Sequence, residues 1–358
     1  MMNKYLILAI NPGSTSTKLA VYENETQLSE FKISHSPEEL RKYERIIDQF
    51  EFRKAMISEF LAKEKIDLTH FAAIVGRGGM LKPLEGGTYL VNEQMVQDMK
   101  YAVRGEHASN LGCLLAKDLA DQVGIPAFTV DPVSVDEMDD HFRYTGFPEI
   151  QRYSVFHALN HKAVARKRAS ELGKKYEEMN FIVAHLGGGI SVASHEKGHV
   201  IDVNNALDGD GPMSPERSGS VPIGPLYHMV FSGNYTLEEI KRKNFGSGGL
   251  VAYLGTNDGL AIMKMIEEGN EKAKFIVEVM CYQIAKEIGA QATVLKGQVD
   301  EIILTGGLAY NDYFMNLIIP RVSFIAPVHI IAGENEMESL SLGALRVLRG
   351  EEKAKDYQ

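Results

Sequence analysis

Three glycine-containing turns in this sequence could bind phosphate groups. The first, at residues 11–18, reads NPGSTSTK and places small hydroxyl residues and a lysine between two apolar segments. The second, at residues 185–189, reads HLGGG, and its three successive glycines allow close approach of a ligand to the backbone. Such turns can direct N–H groups and hydroxyls at anionic oxygens. With a third turn at residues 305–308, they predict a nucleotide held in an interdomain cleft.

The first turn is not a Walker A loop. The glycine that should open such a loop is missing, and the following residues LAVYE alternate as in a strand instead of beginning a helix. Each turn alone could be a simple hairpin rich in turn-forming residues. The recurrence of the pattern at equivalent places in both halves of the chain favours phosphate binding.

Two arginines lie in loops where they could bind an anionic substrate. Arg77 stands among glycines after an apolar segment (VGRGG), and Arg217 lies in PERSGS. The planar guanidinium group matches carboxylate or phosphate oxygens. A solvated loop arginine is the alternative for each. The chain has a net charge of −10, so an anionic ligand would need such local cations.

His157 and His161 are four residues apart at a predicted helix start, a spacing that zinc could use. No glutamate follows His157 as in the motif HExxH, and no third ligand is evident. We therefore expect no zinc site here.

Acidic residues occur at a strand end and at the start of the last helix. Asp131 follows a predicted strand and precedes Pro132, a natural position for a catalytic or metal-positioning carboxylate. Acidic residues at 334, 336 and 338 crowd the last helix start, where the helix dipole by itself favours them.

The segments that must position these residues form an internal repeat. Residues 6–28 and the segment from residue 181 share one order: buried strand, glycine-containing turn, strand, hairpin, third strand. This duplication predicts an N-terminal domain over residues 1–150 and a C-terminal, nucleotide-binding domain over 151–335. We expect the closing helix, within 336–358, to pack back on the first domain.

Capping signals and apolar periodicity predict the main helices. The capping box that begins at Ser36 should open one helix running to about Lys63. Further helices are expected at 93–104, 110–122, 271–296 and 339–349, alternating with strands in an α/β fold.

Composition limits the class of protein. At 358 residues with pI near 5.6, the chain suits two globular domains and lacks the basic character that nucleic-acid binding requires. Two cysteines make no disulfide framework, and the N-terminal apolar run is too short for a membrane span. We expect buried free thiols and a cytoplasmic protein that binds neither nucleic acid nor membrane.

The motifs together resemble those of the acetokinase family in the actin/hexokinase superfamily. The similarity covers essentially the whole chain, in the order NPGSTSTK, VGRGG, GEHASN, VDP, RYSVFHALNH, HLGGG, PERSG, LTGGLAYN and ENEMESLSLGAL. It implies duplicated ribonuclease H-like (actin-like ATPase) domains, with mixed sheets flanked by helices. It also implies direct, reversible transfer of the γ-phosphoryl group of ATP to a short-chain carboxylate, with Mg²⁺ and without a phosphoenzyme.

The resemblance implies catalytic roles residue by residue. Asn11 is similar to the phosphate contact of the first loop, and Arg77 with Arg217 to the pair that holds the carboxylate and stabilises the transferring phosphoryl group. His157 resembles the residue that contacts this group in the transition state. Asp131 resembles the carboxylate that positions nucleophile and metal.

It also implies the ligands of ATP or ADP and of Mg²⁺. The implied nucleotide contacts are Ser14, Ser16, Lys18, His185, Gly187, Gly188, Gly189, Asp258, Thr305, Gly306, Gly307 and Leu308. Where many relatives carry an arginine two residues after that aspartate, this chain has Leu260, so adenine recognition should differ. Glu338 resembles the Mg²⁺-associated acid, with Glu336 as the alternative alignment.

The substrate is predicted from one departure. Acetate-specific relatives read Arg-Val-Val where this chain reads Arg77-Gly78-Gly79. Loss of the second valine side chain should leave room near the acyl tail, with Phe156 also lining the pocket. Two buried methylenes would contribute about 1.6 kcal/mol. We therefore expect butyrate, leaving isobutyrate, propionate, valerate and acetate open.

Two further classes of protein would fit the same motifs. A non-metabolic actin-like ATPase would use the same phosphate turns, and a sugar or glycerol kinase would need a base such as Asp131. The expected partners are a nucleotide, a carboxylate or acyl phosphate, and a second copy of the chain, with the helix at 271–296 as a candidate dimer face.

Overall fold

The computed structural model describes residues 3–358, which form two compact units. One runs from the first described residue to Val135 and includes Asn335–Gln358; the other is Asp136–Glu334. The strands are β1 (Leu6–Pro12), β2 (Ser16–Glu23), β3 (Thr26–Ser34), β4 (Ala73–Gly76), β5 (Thr88–Leu90), β6 (Ala127–Val130), β7 (Asn180–Leu186), β8 (Ile190–Glu196), β9 (His199–Val203), β10 (Glu301–Gly306), β11 (Val328–Ala332) and β12 (Lys355–Asp356).

The helices surround these strands. They are α1 (Pro37–Leu40), α2 (Phe50–Lys63), α3 (Glu93–Tyr101), α4 (Asn110–Val123), α5 (Ala158–Glu171), α6 (Ile223–Val230), α7 (Leu237–Asn244), α8 (Gly249–Leu254), α9 (Gly259–Glu267), α10 (Glu271–Val294), α11 (Asp312–Val322) and α12 (Glu336–Leu348).

The first unit contains a seven-stranded mixed sheet in the order β12-β5-β6-β4-β1-β2-β3. Strand β1 is buried on both faces. It pairs antiparallel with β2 and parallel with β4. Helices α4 and α12 pack on the strands at its centre. The carboxyl end of β1 therefore lies beside that of β4, which brings the first glycine turn next to the VGRGG loop.

The second unit repeats this arrangement in a five-stranded sheet ordered β11-β10-β7-β8-β9. Here β7 pairs antiparallel with β8 and parallel with β10, as β1 does with β2 and β4. The HLGGG turn joins β7 to β8, and the third glycine turn follows β10. The mixed, duplicated α/β architecture predicted from the repeat is confirmed.

The boundary between the units lies at residue 135 rather than at 150. Residues after the boundary contact the second unit: the Asp139 N–H donates to the Ile201 carbonyl at 3.0 Å, and Glu137 forms a buried ion pair with Lys162 at 2.8 Å. These long-range contacts, which local sequence does not reveal, attach the segment to β9 and α5.

The helix predicted from residue 37 to 63 is two helices, α1 and α2. The capping box at Ser36 is present, but the backbone leaves the helix after Arg41. Farther on, the Glu106 carboxylate accepts from the Ile46 N–H at 3.1 Å and binds the Arg45 guanidinium at 2.7 Å. Between the two helices, the Ile46 N–H thus bonds to a partner distant in sequence instead of a helical carbonyl.

Both cysteines are buried free thiols, as predicted. Within residues 3–358, none of the helices combines the length and apolar character that a membrane span requires.

Candidate functional site

The turn between β1 and β2 is closed by its own backbone and presents polar side chains outward. The Gly13 N–H donates to the Ser16 carbonyl at 2.7 Å. Ser14 is exposed at the tip, and Lys18 is exposed on β2, where it pairs in register with Asn11. The turn thus offers hydroxyls and an ammonium group to an anion.

Arg53, on α2, lies beneath this turn and was not predicted as a site residue. Its side chain is fully buried. The guanidinium group donates to carbonyl oxygens of the turn, those of Gly13 at 2.9 Å, Ser14 at 3.3 Å and Ser16 at 3.3 Å. Burial lowers the pKa of Arg53 to about 10, so it remains charged at neutral pH. A buried cation therefore fixes the turn and adds positive charge beneath it.

A signal for Arg53 exists in the sequence. The buried residues of α2 are Arg53, Ile57 and Leu61, which are spaced by four along one helix face. An arginine on the apolar face of a helix needs acceptors to satisfy its N–H groups, and here the turn provides them.

Asn11, Arg77 and Glu336 form one cluster in the first unit. The Asn11 amide donates to Glu336 Oε2 at 2.5 Å, and the Arg77 guanidinium forms an ion pair with Glu336 Oε1. Asn11 ends β1, Arg77 follows β4, and Glu336 is the first residue of α12, so three elements meet here. Asn11 Oδ1 is buried without a hydrogen-bond partner among the described residues, so the cluster retains an acceptor oxygen for a ligand.

Glu338 lies elsewhere on α12. Residues two apart on a helix face different directions. Burial, with a smaller contribution from the Glu338 charge, raises the pKa of Tyr22, so Glu338 acts near that residue on β2. Of the two acids left open by the sequence, Glu336 is the one that contacts Asn11 and Arg77.

Asp131 occupies a constrained position directly after β6. It is buried, and its φ of +36° lies in the left-handed region that non-glycine residues rarely adopt. Its Oδ1 accepts from the Gly87 N–H at 2.7 Å, and its own N–H donates to the Gly87 carbonyl at 3.0 Å. Such strain is typical of functional sites.

The open space predicted beside Gly79 is absent. A Cβ atom built at Gly79 would overlap the backbone and side chain of Asn110, the first residue of α4. One built at Gly78 would lie 2.5 Å from Pro132 Cβ and 2.8 Å from Thr129 Oγ1. The two glycines permit close packing of this chain on itself. They therefore do not enlarge an acyl pocket, and that prediction was wrong.

In the second unit, Arg217 packs directly on the glycine triplet. Its guanidinium group donates to the Ala206 carbonyl and lies 4.8 Å from the Phe245 ring centroid. A Cβ at Gly189 would overlap that guanidinium group, whereas one at Gly188 would have its nearest atom 3.6 Å away, in Glu216. Burial lowers the pKa of Arg217. The structure thus brings Arg217 and the HLGGG turn together.

His157 and His185 stack face to face beside this turn. Their ring centroids are 3.8 Å apart with an interplanar angle of 12°. His185 Nδ1 is 2.8 Å from Asn160 Oδ1, so this nitrogen carries the proton. His185 Nε2 is buried, without a hydrogen-bond partner among the described residues, and lies 3.5 Å from a Glu334 oxygen. Two imidazoles therefore face one small region of the second unit.

His157 and His161 share one hydroxyl as a hydrogen-bond partner. Both rings lie within hydrogen-bonding distance of Ser191 Oγ, at 2.9 and 2.8 Å. Over residues 3–358, no group of three or more His, Cys, Asp or Glu side chains is arranged to hold a metal ion. Phe156, predicted in the acyl pocket, is buried. Its ring packs edge-on against the His161 ring, with 5.1 Å between the two ring centroids.

Several residues predicted to contact the nucleotide line a cavity of about 710 Å³. Asp258, Gly307 and Leu308 line it, together with Leu260, Met263, Glu267, Tyr310, Asn311, Asp312, Tyr313 and others. Asp258 also caps α9, where its Oδ1 accepts from the Leu260 N–H at 2.9 Å. Thr305 is buried at the strand end and donates to the Gly333 carbonyl at 3.0 Å, a role in shaping the turn.

Comparison with solved structures defines the class of fold. Acetate kinase from Porphyromonas gingivalis superposes with a TM-score of 0.78 at 20% identity, over 94% of this chain and 98% of that one. A propionate kinase from Francisella tularensis superposes with a TM-score of 0.72 at 20% identity, over 95% of this chain and 98% of that one. The fold is that of the actin-like ATPases.

The family follows from sequence comparison. The Acetokinase family profile matches residues 143–326. Butyrate kinase 1 of Clostridium acetobutylicum is 54% identical over 354 residues, 99% of this chain and all of that protein. A probable butyrate kinase of Clostridium botulinum is 53% identical over 353 residues, 99% of both chains. The chain belongs to the acetokinase family.

Proposed function

We propose that this protein catalyses reversible phosphorylation of butyrate by ATP, giving butanoyl phosphate and ADP. The observation that carries the proposal is the 54% identity, along the whole chain, to a protein named butyrate kinase. The cationic and glycine-rich clusters in both units support it.

The chemistry suits these residues. A carboxylate is anionic at neutral pH and needs no general base, but it must approach the polyanionic phosphates of ATP. Phosphoryl transfer has a loose transition state, so a kinase mainly positions reactants and neutralises charge. Arg77 and Arg217 hold the carboxylate and the transferring group, and His157 donates a hydrogen bond to its oxygens. Asp131, held by Gly87, positions the nucleophile.

The donor atoms near Asn11 fit Mg²⁺. This ion prefers oxygen ligands and uses one or two carboxylates together with substrate phosphates. The Glu336 carboxylate and the unpaired Asn11 Oδ1 are such oxygens, and Asp131 is a further carboxylate of the same unit. Bound there with ATP, Mg²⁺ would neutralise phosphate charge. Glu336 takes the role expected for Glu338.

ATP contacts follow from the three turns and the cavity. Ser14, Ser16 and Lys18 of the first turn, and His185 with Gly187 to Gly189 of the second, bind phosphates. The cavity lined by Asp258, Gly307 and Leu308 receives the adenosine. Leu260, 82% exposed at its edge, replaces the arginine of many relatives with an apolar contact.

The protein also self-associates in this proposal and works in the cytoplasm. One face of α10 is buried in its own unit through Ile276, Met280 and Ile284, while Phe275 and Tyr282 on the same helix are 62% and 50% exposed. Helix α6 is a second candidate for the dimer face because it has no buried residue, and its apolar side chains continue into Phe231, which is 87% exposed.

Trapping of acyl phosphate with hydroxylamine tests the function. The protein is incubated with ATP, Mg²⁺ and acids of two to five carbons, including isobutyrate, and Arg77→Ala serves as the control for contaminating kinases. We expect most hydroxamate from butyrate. Faster turnover of acetate or propionate would show that this acid, and not butyrate, is the preferred substrate. ATP hydrolysis without hydroxamate from any acid would favour a non-metabolic actin-like ATPase.

A further inference from the structure

A continuous chain of hydrogen bonds leads from His157 into the core of the second unit. His157 Nδ1 is 2.9 Å from Ser191 Oγ, which is 2.8 Å from His161 Nε2. His161 Nδ1 is 3.3 Å from His195 Nε2, and His195 Nδ1 is 2.7 Å from the Tyr176 hydroxyl. Ser191, His161 and His195 are fully buried, and Tyr176 is 4% exposed. We call these five side chains the histidine relay.

The relay can be satisfied only when all its bonds point the same way. A neutral imidazole has one N–H donor and one acceptor nitrogen, and a hydroxyl donates only one hydrogen bond. His161 is neutral, because burial and the neighbouring His195 and His185 hold its pKa well below the usual range. Among the described residues, Ser191 Oγ bonds only to these two imidazoles, so its one O–H donates to one of them and it accepts from the other. Reversal of any one bond in a neutral, fully satisfied relay therefore requires reversal of all of them.

The direction of the relay decides which nitrogen of His157 carries the proton. If the Tyr176 hydroxyl donates to His195, then His195 donates to His161 and His161 donates to Ser191. The Ser191 hydroxyl then donates to His157 Nδ1, and the His157 proton lies on Nε2. In the opposite direction Nδ1–H donates to Ser191, and Nε2 presents a lone pair. Only the first arrangement gives a neutral His157 a donor for a phosphoryl oxygen.

Charges beside Tyr176 favour the first direction. Lys162 Nζ lies 5.7 Å and the Arg166 guanidinium 5.6 Å from the centroid of the Tyr176 ring. Positive charge there stabilises negative charge on the phenol oxygen, which makes the phenol a stronger hydrogen-bond donor. Glu137 offsets part of the Lys162 charge in a buried ion pair, and the Arg166 guanidinium is a second cation near the ring.

We propose that Tyr176, acting through His195, His161 and Ser191, is a positioning residue that fixes the Nε2–H tautomer of His157. The catalytic consequence rests on the proposed function, in which His157 donates to the transferring phosphoryl group. The tautomer itself is a property of the protein without substrate.

Long-range ¹H–¹⁵N correlation spectra of the full chain labelled with ¹⁵N-histidine test the proposal directly. The shifts of the two ring nitrogens distinguish the tautomers, and His157→Gln assigns the signal. We expect Nε2–H in the native protein and a mixture of tautomers in Tyr176→Phe. An Nδ1–H tautomer in the native protein, or an unchanged His157 signal in Tyr176→Phe, would overturn the proposal. Should Tyr176→Phe fail to fold, Ser191→Ala removes the donor next to His157 and gives the same readout.

Kinetics supply the second readout. We expect Tyr176→Phe to lower kcat about tenfold, as for loss of one hydrogen bond, with little change in KM for the acid. The double variant with Ser191→Ala should lose no more than Ser191→Ala alone, because both cut one relay; additive losses would contradict this. Tyr89→Phe is the matched control, since Tyr89 is also buried, donates a hydrogen bond and has a lysine over its ring. If no acid is phosphorylated, the proposed function fails while the spectra still decide the tautomer.

Discussion

Asn11 and Glu336 lie 325 positions apart in the sequence, yet the Asn11 amide donates to the Glu336 carboxylate at 2.5 Å. The contact joins the end of the first strand to the start of the last helix. It also aims one carboxylate at both Asn11 and Arg77 while leaving Asn11 Oδ1 for a ligand.

The first prediction concerns the two acids of α12. Glu336→Gln should lower kcat by roughly 10²–10³-fold, because the proposed carboxylate ligand of Mg²⁺ at the phosphates is lost. It should also raise the Mg²⁺ concentration needed for half-maximal rate. Glu338→Gln is the matched control and should change both values little. Steady-state kinetics with varied Mg²⁺ check this, and the reverse order of effects would return the metal role to Glu338.

The three cationic or hydrogen-bonding groups of the proposed site should each be required. Arg77→Ala, Arg217→Ala and His157→Ala should each lower kcat by at least about 10²-fold, because each removes a preorganised stabilising group. Circular dichroism and thermal melting establish that the variants fold. A folded variant with near-normal kcat would remove that residue from the site.

Arg53 should support the first phosphate turn and the fold together. Arg53→Ala leaves several carbonyl oxygens of the turn without donors, so we expect the free energy of unfolding to fall by about 1–3 kcal/mol or more. KM for ATP should rise as the turn loses its shape and nearby charge. Arg53→Lys keeps the charge but not the planar donors, and it should recover stability only in part. Urea unfolding and ATP titrations measure both effects, and an unchanged KM for ATP in a folded Arg53→Ala variant would limit Arg53 to stability.

The glycine triplet offers a test that uses one added methyl group. Gly189→Ala should displace the Arg217 guanidinium, because the new Cβ would overlap it, and should lower kcat nearly as much as Arg217→Ala. Gly188→Ala adds the same atom with 3.6 Å of clearance and should have a much smaller effect. The double variant Gly189→Ala/Arg217→Ala should be no worse than Arg217→Ala. Equal losses in Gly188→Ala and Gly189→Ala would contradict this explanation.

The sequence was sufficient to predict the duplicated fold, because the order of strand, glycine turn and strand is local and occurs twice. The sequence also indicated Arg217 and the HLGGG turn as site residues, although only the three-dimensional structure shows that Gly189 makes room for Arg217. The sequence left open whether Glu336 or Glu338 is the Mg²⁺-associated acid. In the structure the two residues lie on different faces of α12, and Glu336 is the one that contacts Asn11.

Predictions that depend on distant partners were weaker. The segment between α1 and α2 bonds to Glu106, and the segment after residue 135 belongs to the second unit because of its contacts with Ile201 and Lys162. The space beside Gly79 looked open in the sequence but is filled by Asn110 on α4. Each of these outcomes depends on which side chain fills a space or completes a hydrogen bond from far along the chain.

The most direct test of the central claim follows the oxygen atoms of the acid. Butyrate labelled with ¹⁸O in both carboxylate oxygens is incubated with the protein, ATP and Mg²⁺, and the product is observed by ³¹P NMR. Transfer of the phosphoryl group to a carboxylate oxygen predicts an acyl phosphate signal with the isotope shift of one ¹⁸O between phosphorus and the acyl carbon. An acyl phosphate without this shift, or ADP and inorganic phosphate as the only products, would contradict transfer of the γ-phosphoryl group to the carboxylate.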